Sequence, residues 1–190
     1  MSVSDITTAA GTAHGLLFHH FGDKRGIYLA ALEEVGTRLR EQRNRDLEVP
    51  SRGGLRRQID AHFRAVALHP EQFEAFLSGG EEPDAQQVIE RYRWDAIEVF
   101  CVHLILDQND PAVRIALRGA VGFYDHALLT WLRLDRPFPL ERLIDAAIEA
   151  VGSALDVMAL LDASIPLRAA RTEIRACRAA RNGDGPTQVR

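Results

Sequence analysis

Helical periodicity runs through almost the whole chain and constrains its fold more than any other feature. Apolar residues recur at steps of three and four, as in the stripe of Ile27, Ala31, Val35 and Leu39. Alternating patterns typical of strands are almost absent. Prolines and glycines divide the chain into segments of helical length. We predict helices over 2–10, 13–21, 24–46, 55–68, 70–77, 84–106, 111–134 and 140–162, and an arginine-rich helix that starts at Ile165-Pro166. The sequence therefore predicts an all-α fold.

The composition excludes several classes of protein. Of the 190 residues, 46% are hydrophobic and 26% are charged, as in ordinary soluble proteins. No apolar run reaches the length of about 18 residues that a membrane span needs, and the first residues do not resemble a signal peptide. Cys101 and Cys177 are too few for a disulfide framework. We therefore expect a cytoplasmic protein without a membrane partner.

Charge is distributed unevenly along the chain. Residues 1–47 carry no net charge, residues 48–163 carry −8, and residues 164–190 carry +4. An acidic middle segment argues against a protein that coats nucleic acid with its whole surface. Any DNA binding must therefore come from a small, local element.

Residues 2–24 contain two short helical segments joined by a glycine-containing turn, which is typical of a helix-turn-helix. Ser2 begins a capping box, and Ala9, Ala10, Gly11 and Gly15 are small enough for two helices to cross closely. The second helix is expected to expose short and polar side chains suited to base edges in a major groove: Thr12, His14, Gly15, Leu16, His19 and His20.

These residues identify a family resemblance. The segment SVSDITTAAGTAHGLLFHHFGDKRGIYLAALEEV resembles the tetracycline-repressor (TetR) family of bacterial transcription regulators, and RGAVGFYDHALLTWL resembles the interface helix of that family. The resemblance implies a homodimer that binds a near-palindromic double-stranded DNA operator and is released by a small molecule, most often as a repressor. It divides the chain into a DNA-binding region (1–46), a helical ligand-binding and dimerisation domain (47–163) and a basic helix with a disordered tail (164–190).

The resemblance also gives individual positions a role. His19 corresponds to a position that contacts a base, whereas Ser2, His20 and Lys24 correspond to positions that contact phosphates. Phe18 replaces the usual tyrosine and so lacks its hydroxyl group. Ala13 replaces a common serine, which leaves Thr12 to cap the recognition helix.

The helix that precedes these two in the family has no counterpart here, because Ser2 already begins the second family helix. We therefore expect residues 1–22 to be less ordered than the body and to bind DNA weakly or not at all. A start upstream of Met1 and a truncated regulator kept for dimerisation or ligand binding are the two explanations. The second is the alternative function: a regulator-like module that does not bind DNA.

The histidines and cysteines of the chain are also candidates for a metal site or a catalytic site. Three histidines within seven residues are compatible with a metal site, but His19 and His20 diverge by about 100° on a helix, so we expect no metal. Cys101 and His103 are two residues apart and do not face each other on a helix. No catalytic spacing or phosphate loop is present, so we expect no enzyme activity and no cofactor.

Two long helices near 111–134 and 140–162 predict an antiparallel hairpin that pairs with a second copy. The predicted interface consists of Val121, Leu128, Trp131, Leu132, Ala147, Val151, Ala154 and Leu155.

The central helices carry bulky residues that are candidates for an effector pocket, although aromatic residues at helical spacing usually belong to the core. They are Phe73, Phe76, Trp94, Phe100, His103 and Phe123. Arg168, Arg171, Arg175 and Arg178 share one helix face, which is either solvated or a second contact with DNA or an acidic partner.

Overall fold

The computed structural model of this chain describes residues 14–44, 52–78 and 82–180. The helices in these ranges are α1 (His14–Phe21), α2 (Lys24–Asn44), α3 (Gly54–Leu68), α4 (Pro70–Ser78), α5 (Pro83–Leu104), α6 (Pro111–Arg133), α7 (Leu140–Leu161) and α8 (Arg168–Ala180). The predicted all-α fold is confirmed. No helix in the described ranges is both long and apolar enough to cross a membrane. The predicted helix over 2–10, the end of segment 24–46 and the predicted disordered tail lie outside the described residues.

Two helix ends differ from the prediction for local reasons. Helix α5 ends at Leu104 rather than at 106, because Ile105 adopts a left-handed conformation with φ of 56°. The N–H group of Leu106 then donates to the carbonyl of Cys101 at 3.0 Å, which closes the helix end. Helix α8 begins at Arg168, because the carboxylate of Asp162 accepts the N–H of Ser164 at 2.8 Å and holds a turn before it.

The core of the described protein lies mainly between helices α3 to α8, and Leu32 and Leu39 of α2 join it. Helices α6 and α7 pack together more extensively than any other pair, and α3 packs against α2, α7 and α8. Large, fully buried side chains come from α3 to α7, whereas α8 contributes the smaller buried residues Ala170 and Cys177. The largest of them are Phe63, Phe73, Phe76, Leu55, Ile97, Leu104, Leu117, Leu128, Ile144, Ile148, Leu155 and Met158. Helix α1 packs on α2, outside this core.

The connection between α6 and α7 is a tight turn. Asp135 and Arg136 both have positive φ, at 55° and 58°. The indole N–H of Trp131 donates to the carbonyl of Phe138 at 2.8 Å, and the guanidinium of Arg136 donates to the carbonyl of Ala67 at 2.9 Å. The bond from Trp131 closes the turn itself, and the bond from Arg136 joins the turn to the end of α3.

The start of α3 is capped by a residue from the last helix. Gly53 precedes α3 in a left-handed conformation and has no side chain that could act as a cap. The buried carboxylate of Glu173 in α8 accepts the N–H of Gly53 at 3.0 Å and the N–H of Leu55 at 3.1 Å. A carboxylate at this position satisfies N–H groups that have no partner within the helix and complements the helix dipole. Helix α8 is thereby attached to the beginning of α3.

Candidate functional site

Helix α1 exposes the side chains that the sequence predicts for DNA contact. Leu16, Phe18, His19 and His20 are all exposed to solvent. The imidazole rings of His19 and His20 lie edge to face, with 5.4 Å between their centroids. Imidazole groups on a short exposed helix can offer donors and acceptors to base edges or phosphates.

The turn between α1 and α2 depends on Gly22 and Asp23. Gly22 has φ of 77° and its N–H donates to the carbonyl of Phe18 at 2.9 Å, so it ends α1 in the conformation that glycine adopts most easily. The carboxylate of Asp23 then accepts the N–H of Gly26 at 2.8 Å and caps α2. Lys24, the first residue of α2, is exposed beside this turn.

Gly26 lies where α1 and α2 approach each other most closely. A Cβ atom at this position would lie 1.8 Å from the carbonyl oxygen of Phe21, far inside van der Waals contact. The neighbouring atom belongs to the backbone and cannot rotate away. The angle between α1 and α2 therefore requires glycine at position 26.

Gly26→Ala is expected to displace α1 from α2 and to weaken any DNA binding at least tenfold, because the clash can be relieved only by moving the backbone, at a cost of about 1–3 kcal/mol. Gly122→Ala on α6 is the matched control, since an added Cβ there meets only the end of the flexible Arg118 side chain, at 3.3 Å. Fluorescence anisotropy with a selected DNA duplex measures the binding. Equal affinities for the two variants would contradict the role of Gly26.

The other predicted DNA-binding residues are only partly described. Ser2 and Thr12 lie outside the described residues, as does the side chain of His14, whose backbone begins α1. Gly15 is exposed on α1. The structure thus brings Gly15, Leu16, Phe18, His19, His20 and Lys24 to one short helix and its following turn.

Ion pairs connect α2, which follows the turn, to α5 of the body. The guanidinium of Arg25 lies 2.6 Å from the carboxylate of Asp84 and 3.7 Å from that of Glu82. Further along, Arg91 pairs with Glu33 at 2.8 Å and Arg40 pairs with Asp95 at 3.0 Å. All of these pairs are partly or largely exposed, so each contributes little stability by itself. Arg25 nonetheless directs its charge toward the body, which leaves Lys24 as the cation nearest to α1 among the described residues.

A cavity of about 370 Å³ lies between α2 and α5. Of the predicted pocket residues, only Trp94 lines it. The remaining lining is mostly polar: Glu33, Gly36, Thr37, Arg40, Val88, Arg91, Tyr92 and Asp95. The guanidinium of Arg114 lies 3.9 Å from the centre of the Trp94 ring, and this cation–π contact fixes the indole.

The predicted pocket residues lie in different surroundings. Phe73, Phe76 and Phe100 are fully buried, and their rings contact His62, Tyr92 and Tyr124 respectively, at centroid distances of 6.1, 5.2 and 6.1 Å. Phe123 is 51% exposed on the outer face of α6, and His103 lies at the far end of α5. Phe73, Phe76 and Phe100 pack with other buried rings, as aromatic residues at helical spacing usually do, and a pocket shared by all six residues stays a prediction.

The predicted dimer interface lies on a face of the hairpin that is mostly buried within a single chain. Val121, Leu128, Trp131, Ala147, Val151, Ala154 and Leu155 are buried within a single chain, and Leu132 is half-buried. Side chains that are this buried offer little surface to a second copy. The opposite face of the hairpin carries an open groove of about 730 Å³ lined by Ile115, Ala116, Gly119, Ala120, Phe123, Ala146, Glu149, Ala150, Ser153, Ala154 and Val157. Only Ala154 belongs to both sets.

The arginine face of α8 is partly neutralised. Arg171 pairs with Asp156 at 2.8 Å, and Arg178 pairs with Glu149 at 2.6 Å, both on α7. Arg175 donates to the hydroxyl of Thr172 at 3.0 Å. The face is therefore exposed, but two of its four charges are engaged with the neighbouring helix.

The cysteines lie in environments that suppress their reactivity. Burial raises the pKa of the Cys101 thiol to about 11 and that of Cys177 to about 12. A thiol with such a pKa remains protonated at neutral pH and is a poor nucleophile. Among the described residues, no three side chains of the His, Cys, Asp or Glu types come together as a metal site.

A buried charge network joins α5 to α6. Asp125 is 1% exposed, and its carboxylate accepts the Nε–H of Arg93 at 2.9 Å. Arg93 also donates to Glu90 at 2.8 Å, and Arg118 donates to both carboxylate oxygens of Glu90. The hydrogen bonds from Arg118, followed by those from Arg93, lower the pKa of Glu90. Polar groups at this depth fix the relative position of the two helices.

Comparisons with known proteins agree with this description. Residues 1–31 match the family model for bacterial regulatory proteins of the tetR family. The fold is similar to the crystal structure of a tetR-family transcriptional regulator from Streptomyces coelicolor, with a TM-score of 0.72 and 23% identity over 98% of this chain and 82% of that chain. A search of curated proteins finds no significant match. The family match confirms the resemblance over residues 1–31, and the similarity to the solved structure shows the fold of the chain.

Proposed function

We propose that this chain, whose first 31 residues match the TetR family and whose fold is that of a TetR-family regulator, is a dimeric repressor that leaves its operator when a small molecule binds. The observation that carries the proposal is the exposed α1, with His19 and His20 on its surface and Lys24 in the following turn. This helix lies at the place in the chain where the family model matches.

The dimer in this proposal forms through the outer groove of the α6–α7 hairpin. Ile115, Phe123 and Val157 are large apolar residues that are 63%, 51% and 42% exposed there. Between them lie Gly119, Ala146, Ala150 and Ser153, which are small enough for helices of a second copy to approach closely. A two-fold axis through this groove brings the same face of both chains together and gives a four-helix interface.

The effector site in this proposal is the cavity between α2 and α5. Its lining residues include Arg40 and Arg91, which form the ion pairs between these two helices. A molecule that enters the cavity competes for those charges and so changes how α2, and with it α1, is held against the body. A ligand can shift this equilibrium only by binding one arrangement more tightly than the other.

A second candidate function is a dimeric or ligand-binding module that does not bind DNA. It is favoured by the zero net charge of residues 1–47 and by the engagement of Arg25 with Asp84 and Glu82. Selection from a randomised duplex library at low salt separates the two functions. Enrichment of a near-palindromic sequence supports the repressor, whereas no enrichment supports the module.

His19→Ala is expected to change the selected DNA sequence, because a contact to a base edge contributes about 1–3 kcal/mol of discrimination. His69→Ala is the matched control, since it removes an exposed imidazole from the connection between α3 and α4. Each variant is taken through the same library selection. If His19→Ala retains the parent sequence preference, His19 does not contact a base.

Lys24→Ala serves as the contrasting variant in that experiment. Loss of a phosphate contact weakens binding to all sequences and reduces the salt dependence by about 0.9 units of slope. A change of sequence preference in Lys24→Ala would instead place this residue in a groove.

A further inference from the structure

A second groove lies at the end of the body where α5 ends, α8 begins and the chain enters α3. Its volume is about 650 Å³, within the range of small-molecule sites. It is lined by Arg52, His103, Ile105, Pro166, Arg168, Ala169, Thr172 and Glu173. Asp84 and His103 are separated by about 28 Å along α5 at 1.5 Å per residue. The groove is therefore remote from the contact between Arg25 and Asp84 near α1.

The groove concentrates positive charge that the described residues do not neutralise. Arg52 and Arg168 are exposed, and neither guanidinium has an ion-pair or hydrogen-bond partner within the described ranges. Helix α8 begins at Arg168, and its first turn contains no acidic residue. The N–H groups of that turn and the positive end of the helix dipole add to the charge of the arginine. A cation at the first position of a helix is mildly unfavourable, and an anion bound there is favoured.

The single carboxylate in the lining offsets only part of this charge, because the lining also holds two arginines. Both oxygens of Glu173 are occupied at the start of α3, where they accept the N–H groups of Gly53 and Leu55. The carboxylate thus balances the dipole of α3 rather than that of α8.

His103 supplies an independent sign of a ligand. It is 8% exposed, and within the described part of the protein neither ring nitrogen has a hydrogen-bond partner. Burial lowers the pKa of this imidazole, although Glu173 opposes the change, so the ring is neutral at physiological pH. A neutral imidazole carries one donor and one acceptor, and leaving both unused in a buried position costs free energy.

One wall of the groove is apolar. Ile105 is 72% exposed and adopts the left-handed conformation that β-branched residues strongly disfavour. Pro166 and Ala169 continue the apolar surface beside it. A ligand with both an anionic group and a hydrocarbon part matches this combination.

We propose that this groove binds a small carboxylic acid with an apolar tail. Arg52, Arg168 and the first turn of α8 hold the carboxylate, His103 hydrogen-bonds the ligand from the buried side, and Ile105, Pro166 and Ala169 contact the tail. Because the groove joins the start of α3 to α8 and α5, a bound acid fastens three helices together. The proposal stands independently of DNA binding.

Isothermal titration of the full chain with hexanoate tests the proposal, with hexanamide as the uncharged analogue and inorganic phosphate as the anion without a tail. We expect a dissociation constant for hexanoate below about 1 mM and at least tenfold weaker binding of hexanamide and phosphate. Arg168→Gln should weaken hexanoate binding about tenfold, since charge-assisted hydrogen bonds to carboxylates are the strong ones. Arg142→Gln, which removes an exposed arginine from α7, is the matched control and should bind like the parent chain.

The imidazole signals of His103 in the NMR spectrum of the parent chain provide a second measurement that does not depend on any variant. Hexanoate should shift the His103 signals and leave those of exposed His69 unchanged. The proposal is overturned if hexanoate does not bind, if hexanamide or phosphate binds equally well, if Arg168→Gln binds like the control, or if the His103 signals do not move.

Discussion

Gly119→Arg is expected to convert the proposed dimer into monomers without unfolding the chain. An added Cβ at Gly119 meets no atom within 4 Å, so the substitution causes no clash within one chain. Replacing glycine in an exposed helix also favours the helix by up to about 1 kcal/mol. The two-fold axis brings two guanidinium groups into an apolar groove, where each unpaired charge costs several kcal/mol, so the dissociation constant of the dimer should rise at least about 100-fold.

Sedimentation velocity over a range of protein concentrations measures this change, and circular dichroism measures the helix content. Ala75→Arg is the matched control, because it adds the same charge at an exposed position on α4. A Gly119→Arg chain that still sediments as a dimer would show that any dimer uses another face. Monomers of the control would point to a general effect of charge rather than to this groove.

Arg93→Met is expected to lower the free energy of unfolding by about 3–5 kcal/mol, which is the usual cost of removing one partner from a buried ion pair. The Arg93 side chain is 15% exposed and that of Asp125 is 2% exposed, so the remaining carboxylate has little access to water. Urea denaturation at a fixed protein concentration measures the loss. Arg91→Met is the matched control on the same helix, and its exposed pair with Glu33 should contribute less than about 1 kcal/mol.

The double variant Arg93→Met/Asp125→Leu distinguishes a lost ion pair from lost packing. Because it removes both charges, most of the stability should return. If the double variant is as unstable as Arg93→Met, the loss comes from the shape of the arginine side chain and not from the uncompensated carboxylate.

The stability of Arg93→Met should also depend on pH. Burial raises the pKa of Asp125, while Arg93 opposes this change. A carboxyl group with a raised pKa binds its proton more tightly in the folded than in the unfolded chain, so its contribution to stability is present below the unfolded pKa and is lost as the pH rises through the folded pKa. Without Arg93 the pKa rises further, and the deficit of the variant should shrink as the pH falls toward about 4.

The positions of the helices could be predicted from the sequence because the prolines and glycines that begin or end helices are local signals. Pro70, Pro83 and Pro111 each begin a helix, and Gly22 ends one, within a few residues of the predicted positions. The exposure of His19 and His20 could also be predicted, since it follows from their place on a short amphipathic helix. Ile105 could not be placed, because the sequence around it does not signal a left-handed residue.

The faces of α6 and α7 could not be predicted because both sides of these helices are apolar. Val121 and Leu128 belong to one stripe, while Ile115, Gly119 and Phe123 form another, and both have helical spacing. The stripe with Val121 and Leu128 packs in the core. The stripe with Ile115, Gly119 and Phe123, which is accompanied by small residues, lies outside it. A signal for this difference exists in the small residues Gly119, Ala146, Ala150 and Ser153, which leave little side chain to bury within one chain.

The carboxylate of Glu173 at the start of α3 has a consequence for the order in which the chain matures on the ribosome. The two backbone N–H groups that it satisfies are 120 and 118 positions earlier in the sequence. During synthesis, α3 emerges long before α8, so its first turn must wait for almost the whole body to be translated before it acquires its cap. Contacts across such separations close slowly. In a nascent chain arrested before residue 173, the first turn of α3 should therefore be frayed. The cap forms only when α8 has been synthesised and packs on the start of α3.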